Sequence, residues 1–283
     1  MMKRVIAISN QKGGVGKTTT AVNLSASLGA AEKKILLIDI DPQANTTSGL
    51  GLLSSDVEKK QIYHVLLGEK KIDEAIYPTA VPNLHILPAS ADLIGFEIEG
   101  IDLSEREFCL RRALLQVSND FDFVLIDCPP SLGLLTINAL VAANGVLVPL
   151  QCEYFALEGL SRLMRTIDLV TQQLNPSLTM DGIVLTMFDQ RNNLAHQVAR
   201  EALAHFGKKV WSTRIPRNVR ISEAPSFGKP IISYDIRSVG AQSYLALAEE
   251  FLKRLNAPNS QIGETNERTQ SSWTRTLIPD SHP

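Results

Sequence analysis

Three short stretches of the sequence hold residue types that could do chemistry, and each follows an apolar run. The stretch NQKGGVGKTTT places Gly13, Gly14, Val15 and Gly16 between Lys12 and Lys17, with Thr18, Thr19 and Thr20 after them. Asp39 and Asp41 come straight after ILLI, and Asp127 straight after FVLI. In such a loop the glycines let backbone N–H groups turn toward anionic oxygens, and the positive end of a following helix adds to the field. Lys17 then neutralises charge on β- and γ-phosphates, and the Thr18 hydroxyl suits a Mg²⁺ ligand. Asp127 ends its run as a Walker B carboxylate does, placed to organise the hydration shell of that ion. Asp41 is placed to orient a water on the γ-phosphate. Asp39 serves either beside the metal or as a cap on the strand-to-loop turn.

These positions depend on alternating strands and helices. Val5–Ile8, Ile35–Ile38, Leu84–Leu87, Phe123–Ile126, Gly145–Leu150 and Ile183–Met187 read as buried strands, being short and apolar. The helix after the glycine loop presents Val22, Leu24 and Leu28 on one face, and Leu157–Leu174 and Leu194–Phe206 read as further helices. Ser104–Val117 reads as an amphipathic helix with Phe108, Leu110, Leu114, Leu115 and Val117 available for burial, and Val239–Leu255 as another. Leu52–Glu99 is less regular, with a periodic stretch at Ile62–Leu67. Repeated strand–helix units with near-continuous apolar strands predict an α/β fold. It is a single domain whose mostly parallel sheet carries helices on both faces. The C-terminal edge of such a sheet is where ligands bind.

The chain has 283 residues, 44% hydrophobic and 20% charged, with a formal net charge of −2. That length allows one large α/β domain or two small ones. The near-neutral balance means that a polyanion must be held by a local patch. Gly207–Arg237 offers one, with seven basic residues against Glu223 and Asp235, and Pro216, Pro225 and Pro230 mark it as loop-rich. Cys109, Cys128 and Cys152 lie far apart without a C-x-x-C pair, which argues for reduced thiols and against a zinc or disulfide framework. Cys128 reads as a small buried residue. No run is apolar enough over enough residues to cross a bilayer, and Met1–Arg4 leads into the first strand rather than a signal peptide, so the expected place is the cytoplasm. Residues 1–255 are expected to form the folded domain, and the polar 256–283 stretch a disordered tail.

The loop departs from the common phosphate-binding pattern, with Gln11 where glycine is usual and Lys12 as an extra lysine. KGGVGKTT resembles the deviant Walker A box of the ParA/MinD superfamily of ATPases. DIDPQANTTSGLG, FDFVLIDCPP, QCEYFALEGL and IPRNVRISEAP resemble later boxes of the same superfamily, in the manner of its Soj-like chromosome-partition branch. The resemblance implies ATP and Mg²⁺, with Lys12, Lys17 and Asp41 as catalytic residues. Lys12 would reach across a homodimer interface to the partner's nucleotide, so that two ATP molecules are sandwiched, and Asp41 would be needed for hydrolysis. IPRNVRISEAP would be the adenine loop, with Pro216, Arg217 and Asn218 around the base.

The partition branch further implies an ATP-dependent dimer that binds double-stranded DNA without sequence preference. Arg191 and Arg220 match positions where the family uses arginines on DNA. Lys229 and Arg237 come second, with Arg217, which belongs to either the DNA set or the adenine loop. A ParB-like centromere-binding partner would stimulate an otherwise slow hydrolysis and release the dimer, which places the protein on the nucleoid. Three other branches share the motifs. A membrane-binding MinD-like ATPase needs a terminal amphipathic helix with basic and bulky apolar faces, whereas Gln261–Pro283 has Trp273, Leu277 and Ile278 amid scattered charge and proline. An iron–sulfur member needs a well-spaced thiolate from each subunit, and a small-molecule ligase or kinase needs a substrate pocket of which the sequence gives no sign. The Tyr154–Phe155 pair reads equally well as plain core packing.

Overall fold

The computed structural model describes residues 4–57, 60–117 and 120–256. The stretch expected to be a tail lies, beyond Asn256, outside the described residues. Eight strands form one sheet: β1 Arg4–Ile8, β2 Ile35–Asp39, β3 Tyr77–Pro78, β4 Leu84–Leu87, β5 Phe123–Asp127, β6 Gly145–Gln151, β7 Thr179–Phe188 and β8 Val210–Pro216. Their order is β3-β4-β2-β5-β1-β6-β7-β8, parallel throughout except for the two-residue edge pairing of β3 with β4. Side-chain alternation splits the core into two layers. Val5, Ala7, Leu36, Ile38, Val124 and Ile126 face one layer of helices, while Ile6, Ile8, Ile35, Leu37, Phe123 and Leu125 face the other. Burial on both faces is why these strands read as continuous apolar runs.

β1 lies where the chain reverses its direction across the sheet, with β5, β2 and β4 on one side and β6, β7 and β8 on the other. In parallel sheets the crevice at such a reversal receives ligands. The helix α1, Lys17–Ala30, starts there and is buried along most of its length, Val22, Leu24 and Leu28 included. The helix Val239–Asn256 packs on α1 and on β8 through Tyr244, Leu247 and Phe251.

Two expectations change. Gly207–Arg237 contains β8, which composition concealed because Lys208 and Lys209 precede it and Ser212, Thr213 and Arg214 interrupt its apolar positions. Trp211 and Ile215 are nevertheless buried, and Trp211 meets the Phe251 ring edge-on at 6.1 Å. Ser104–Val117 is not one helix: a tight turn at Arg106–Phe108 leads into a shorter helix, Cys109–Leu115. Leu110 and Ala113 are buried and Phe108, Leu114 and Val117 partly so, but Leu115 is 81% exposed. At 100° per residue, Leu115 lies well round the helix from Leu110 and faces water.

Glu250 fastens the last helix to β8 by accepting the backbone N–H groups of Ser212 (2.9 Å) and Thr213 (2.8 Å). Burial alone would raise its carboxyl, yet these amides and the Arg254 guanidinium outweigh it and hold the group down to about 2. A carboxyl lowered from its ordinary value of 4.5 contributes stability that is complete above that pH and drains away as pH falls toward 2. Glu250→Gln is therefore expected to lower the melting temperature by about 2–4 °C at pH 7 and to flatten its fall on acidification. Thermal melts from pH 7 to pH 3 check it, and a parallel acid limb in wild type and variant would refute the role.

Candidate nucleotide site and basic face

The turn between β1 and α1 builds a phosphate cradle. Gly14 (φ 74°) and Gly16 (φ 87°) take left-handed backbone conformations that a side chain would strain. Gly16 caps α1, so the helix N-terminus points its free N–H groups at whatever the loop encloses. Two buried polar side chains fix the loop from outside. Asn10 accepts the N–H of Lys12 (3.1 Å) and donates to the Pro149 carbonyl (2.8 Å). Thr186, from β7, donates to the Val15 carbonyl (2.8 Å).

Lys17 is 7% exposed, and its ammonium donates to the Lys12 carbonyl at 3.2 Å. Burial pulls its pKa below the ordinary value, against the opposing pull of Asp127 and Asp41. A half-desolvated ammonium has unspent affinity for anionic oxygen.

The register sets Asp39 directly beside Asp127, and Ile8, which leads into the loop, on the other side of Asp127. Both carboxylates are fully buried. Burial first, and then the charge of Asp127, pushes the pKa of Asp39 upward; burial raises that of Asp127 against the Thr46 hydrogen bond, the nearby Thr18 hydroxyl and the Lys17 charge. Oδ2 of Asp127 accepts the Thr46 hydroxyl (2.7 Å), whereas Oδ1 is buried without a partner among the described residues. An orphaned carboxylate oxygen beside Thr18 and Lys17 fits a hydrated Mg²⁺ well. Among the described residues no cluster of three or more His, Cys, Asp or Glu could hold a metal alone, so the ion would complete its shell with water and phosphate oxygens. Asp39 takes the capping alternative: it accepts the N–H of Asp41 (3.2 Å) and both the N–H (2.9 Å) and hydroxyl (2.7 Å) of Thr47.

Above these groups opens a cavity of about 530 Å³, ample for a nucleoside triphosphate. Gly13, Gly14, Gly16, Lys17, Thr18 and Thr19 line one end with Asp41. Pro216, Arg217 and Asn218 line the other with Ile215, Ile221 and Met187, an apolar slot suited to a purine. Asn218 also caps the short helix Val219–Glu223 by accepting the Ile221 N–H. Thr20 departs from the expected set. Its hydroxyl faces Tyr244 at 3.4 Å and its N–H is used by Gly16, so neither is free for phosphate. Val15 is 1% exposed and faces inward. Lys12 does not line the cavity; its ammonium donates to Glu153, which Gln151 also binds. Beside it Tyr154 and Phe155 are 78% and 65% exposed, so they are not core.

The basic residues are at the surface. Arg191, after β7, is bound to Asp189 at 3.2 Å. Arg220 is bound to Glu223 (3.0 Å) and lies 3.7 Å from Asp235, so both acids of the segment sit on one arginine. Arg217, Lys229 and Arg237 are exposed, and among the described residues none forms an ion pair within 4.0 Å. The chain leaving the helix Asn45–Gly49 meets this segment at Gly51 (φ 83°) and Gly228 (φ 61°), backbone on backbone. A Cβ on Gly228 would come within 2.6 Å of the Gly51 Cα.

Asn10, Thr46, Thr47 and Thr186 were not legible as site residues. Their one sequence sign is a polar residue beside a motif at the end of a strand.

A parallel sheet with this loop at its point of reversal defines a P-loop nucleoside triphosphatase. Residues 3–180 match a family model described as an AAA domain. The chain is 58% identical over 251 residues to the chromosome partitioning protein ParA of Myxococcus xanthus, spanning 89% of this chain and 88% of that one. It is 55% identical to the sporulation initiation inhibitor protein Soj of Bacillus subtilis, spanning 88% and 98%. A solved structure titled cobyrinic acid a,c-diamide synthase from Mycobacterium smegmatis, with bound ADP and magnesium, superimposes with a TM-score of 0.79 at 37% identity, covering 90% of this chain and 96% of that one. The chain belongs to the ParA/Soj family of chromosome-partitioning ATPases within the ParA/MinD superfamily, and it uses ATP with Mg²⁺.

Proposed function

We propose that the protein is an ATP-timed DNA clamp: two ATP-bound copies form a sandwich dimer that holds duplex DNA without reading its sequence and lets go after hydrolysis. The observation that carries this reading is Lys12. It belongs to the phosphate loop yet lines no wall of its own cavity, which suits a lysine that serves the nucleotide of a second copy. Lys17 and the loop amides hold the phosphates, and Thr18 and Asp127, the latter through water, hold Mg²⁺, which withdraws charge from the phosphate oxygens. Asp41 lines the cavity, with Oδ1 accepting the Gln43 N–H at 2.9 Å; its other oxygen orients the attacking water. Pro216, Arg217 and Asn218 enclose the base. A ParB-like centromere-binding protein is the proposed partner that accelerates hydrolysis, and the nucleoid the proposed location, with residues 1–255 as the working domain.

Arg191, Arg220, Lys229 and Arg237 are the proposed DNA-binding residues. Exposed ion pairs such as Arg191–Asp189 and Arg220–Glu223 cost little to exchange for phosphate. One face binds weakly, and pairing two on a rigid dimer makes binding ATP-dependent. Arg191→Ala and Arg220→Ala should each weaken binding alike for unrelated sequences. Each should also make the salt dependence shallower by ~1 unit for every DNA phosphate that the variant no longer neutralises. ATP-driven dimerisation should be unaffected. Filter binding across a salt series is the test, and an unchanged affinity and slope in the double variant would remove these residues from the interface.

The other branches receive less support. No helix among the described residues is long and apolar enough to cross a membrane, and the terminal segment on which the MinD-like reading turns lies outside them. Cys109, Cys128 and Cys152 are all buried, so none presents a thiol at the surface where a second copy could share an iron–sulfur cluster. For a ligase, a small-molecule acceptor would have to consume ATP in the absence of DNA or partner.

A further inference from the structure

We propose that Thr46 is a positioning residue: by tying Oδ2 of Asp127 it presents Oδ1 to the hydrated magnesium ion. The proposal rests on the reading of Asp127 given above and adds a residue to it. The terminal torsion of an aspartate is broad and roughly two-fold, so a buried carboxylate with both oxygens free has no fixed presentation. Here one oxygen is anchored. Thr46 is fully buried, its hydroxyl donates to Oδ2 at 2.7 Å, and Oδ1 is left without a partner among the described residues.

The anchor is itself held. Thr46 lies in the short helix Asn45–Gly49, and Asp39 clasps the segment at both ends. One Asp39 oxygen takes the N–H of Asp41 and the other takes the N–H and hydroxyl of Thr47. The Thr47 hydroxyl in turn accepts the N–H of Ala89, just past β4. The segment is thus tied to three neighbouring strands, β4, β2 and β5. Asp41 and Thr46 ride on it together, so the carboxylate that orients the water and the one that faces the ion are set in register by a single clasped unit. Removing the Thr46 hydroxyl leaves Oδ2 buried and unpaired, and the carboxylate turns to find another donor. Groups that orient a metal's first ligands typically change affinity or activity by about 10–100-fold when removed.

The test is a Mg²⁺ titration of the binding of a fluorescent ATP analogue to the full chain, with melting temperature measured on each variant. Thr46→Val should raise the Mg²⁺ concentration for half-maximal tightening about tenfold, with metal-free nucleotide affinity unchanged, and Thr46→Ser should restore the wild-type midpoint. Thr46→Ala carries the same expectation and stands in if the valine variant does not fold. A lowered melting temperature with the midpoint unmoved would mean that Thr46 only packs, and would overturn the proposal. Asp127→Asn separates the two layers. A wild-type midpoint there removes Asp127 from the metal, and Thr46 with it. A shifted midpoint there beside an unmoved one in Thr46→Val removes the role of Thr46 alone.

Discussion

Lys17→Ala is expected to abolish measurable ATP binding. The ammonium is 7% exposed at the mouth of a helix N-terminus, where water screens it poorly. At an effective dielectric of about 20, one charge pair at about 4 Å is worth about 4 kcal/mol, near a thousandfold in affinity. Titration of a fluorescent ATP analogue measures this, and circular dichroism checks that the variant is folded. Binding within tenfold of wild type would mean that the loop amides alone hold the phosphates. Lys12→Ala should behave differently. Its ammonium is on Glu153, outside the cavity wall, so nucleotide binding should persist while ATP-dependent dimerisation disappears. Light scattering with ATP decides it, and a dimer in the Lys12→Ala protein would exclude the cross-subunit role.

Asp41→Ala separates binding from chemistry. The phosphate cradle, Thr18 and Asp127 are untouched by the change, so ATP and Mg²⁺ should bind as before. Hydrolysis should fall about a hundredfold or more, because the water loses the group that orients it. The ATP-bound dimer should then persist instead of turning over. Phosphate release under single-turnover conditions is the measurement, and wild-type turnover would reduce Asp41 to a turn residue. The variant also retains the Asp41 backbone N–H on Asp39, so the segment stays tied to β2 while losing the carboxylate and its hydrogen bond from the Gln43 N–H.

What could be read from sequence divides along the distance over which each feature is encoded. The phosphate loop is local: glycines, lysine and threonine within a few positions state their geometry directly. The strands that position Asp39 and Asp127 are local too, as near-continuous apolar runs. β8 was not legible, because Ser212 and Arg214 face water on one side while Trp211 and Ile215 are buried on the other, against the helix Val239–Asn256. The hydroxyls behind the site were hidden for the same reason. Thr46 and Thr47 look like a polar turn until β5 and β2 bring Asp127 and Asp39 onto them. Leu115 fails in the opposite direction, since apolar type alone does not say which way a side chain faces.

The meeting of Gly51 with Gly228 has a mechanical meaning. Most neighbours inside a protein are cushioned: side chains stand between two backbones, and a small push is absorbed by a change of torsion. Here two main chains touch with nothing between them, and each glycine is in the left-handed conformation that a side chain would strain. One tooth belongs to the turn that follows the clasped segment carrying Asp41, the other to the turn that precedes Lys229. Close-packed interiors pass strain along instead of dissipating it. A side chain at Gly228 would therefore have to push the turn behind the Asp41 segment away before it could fit.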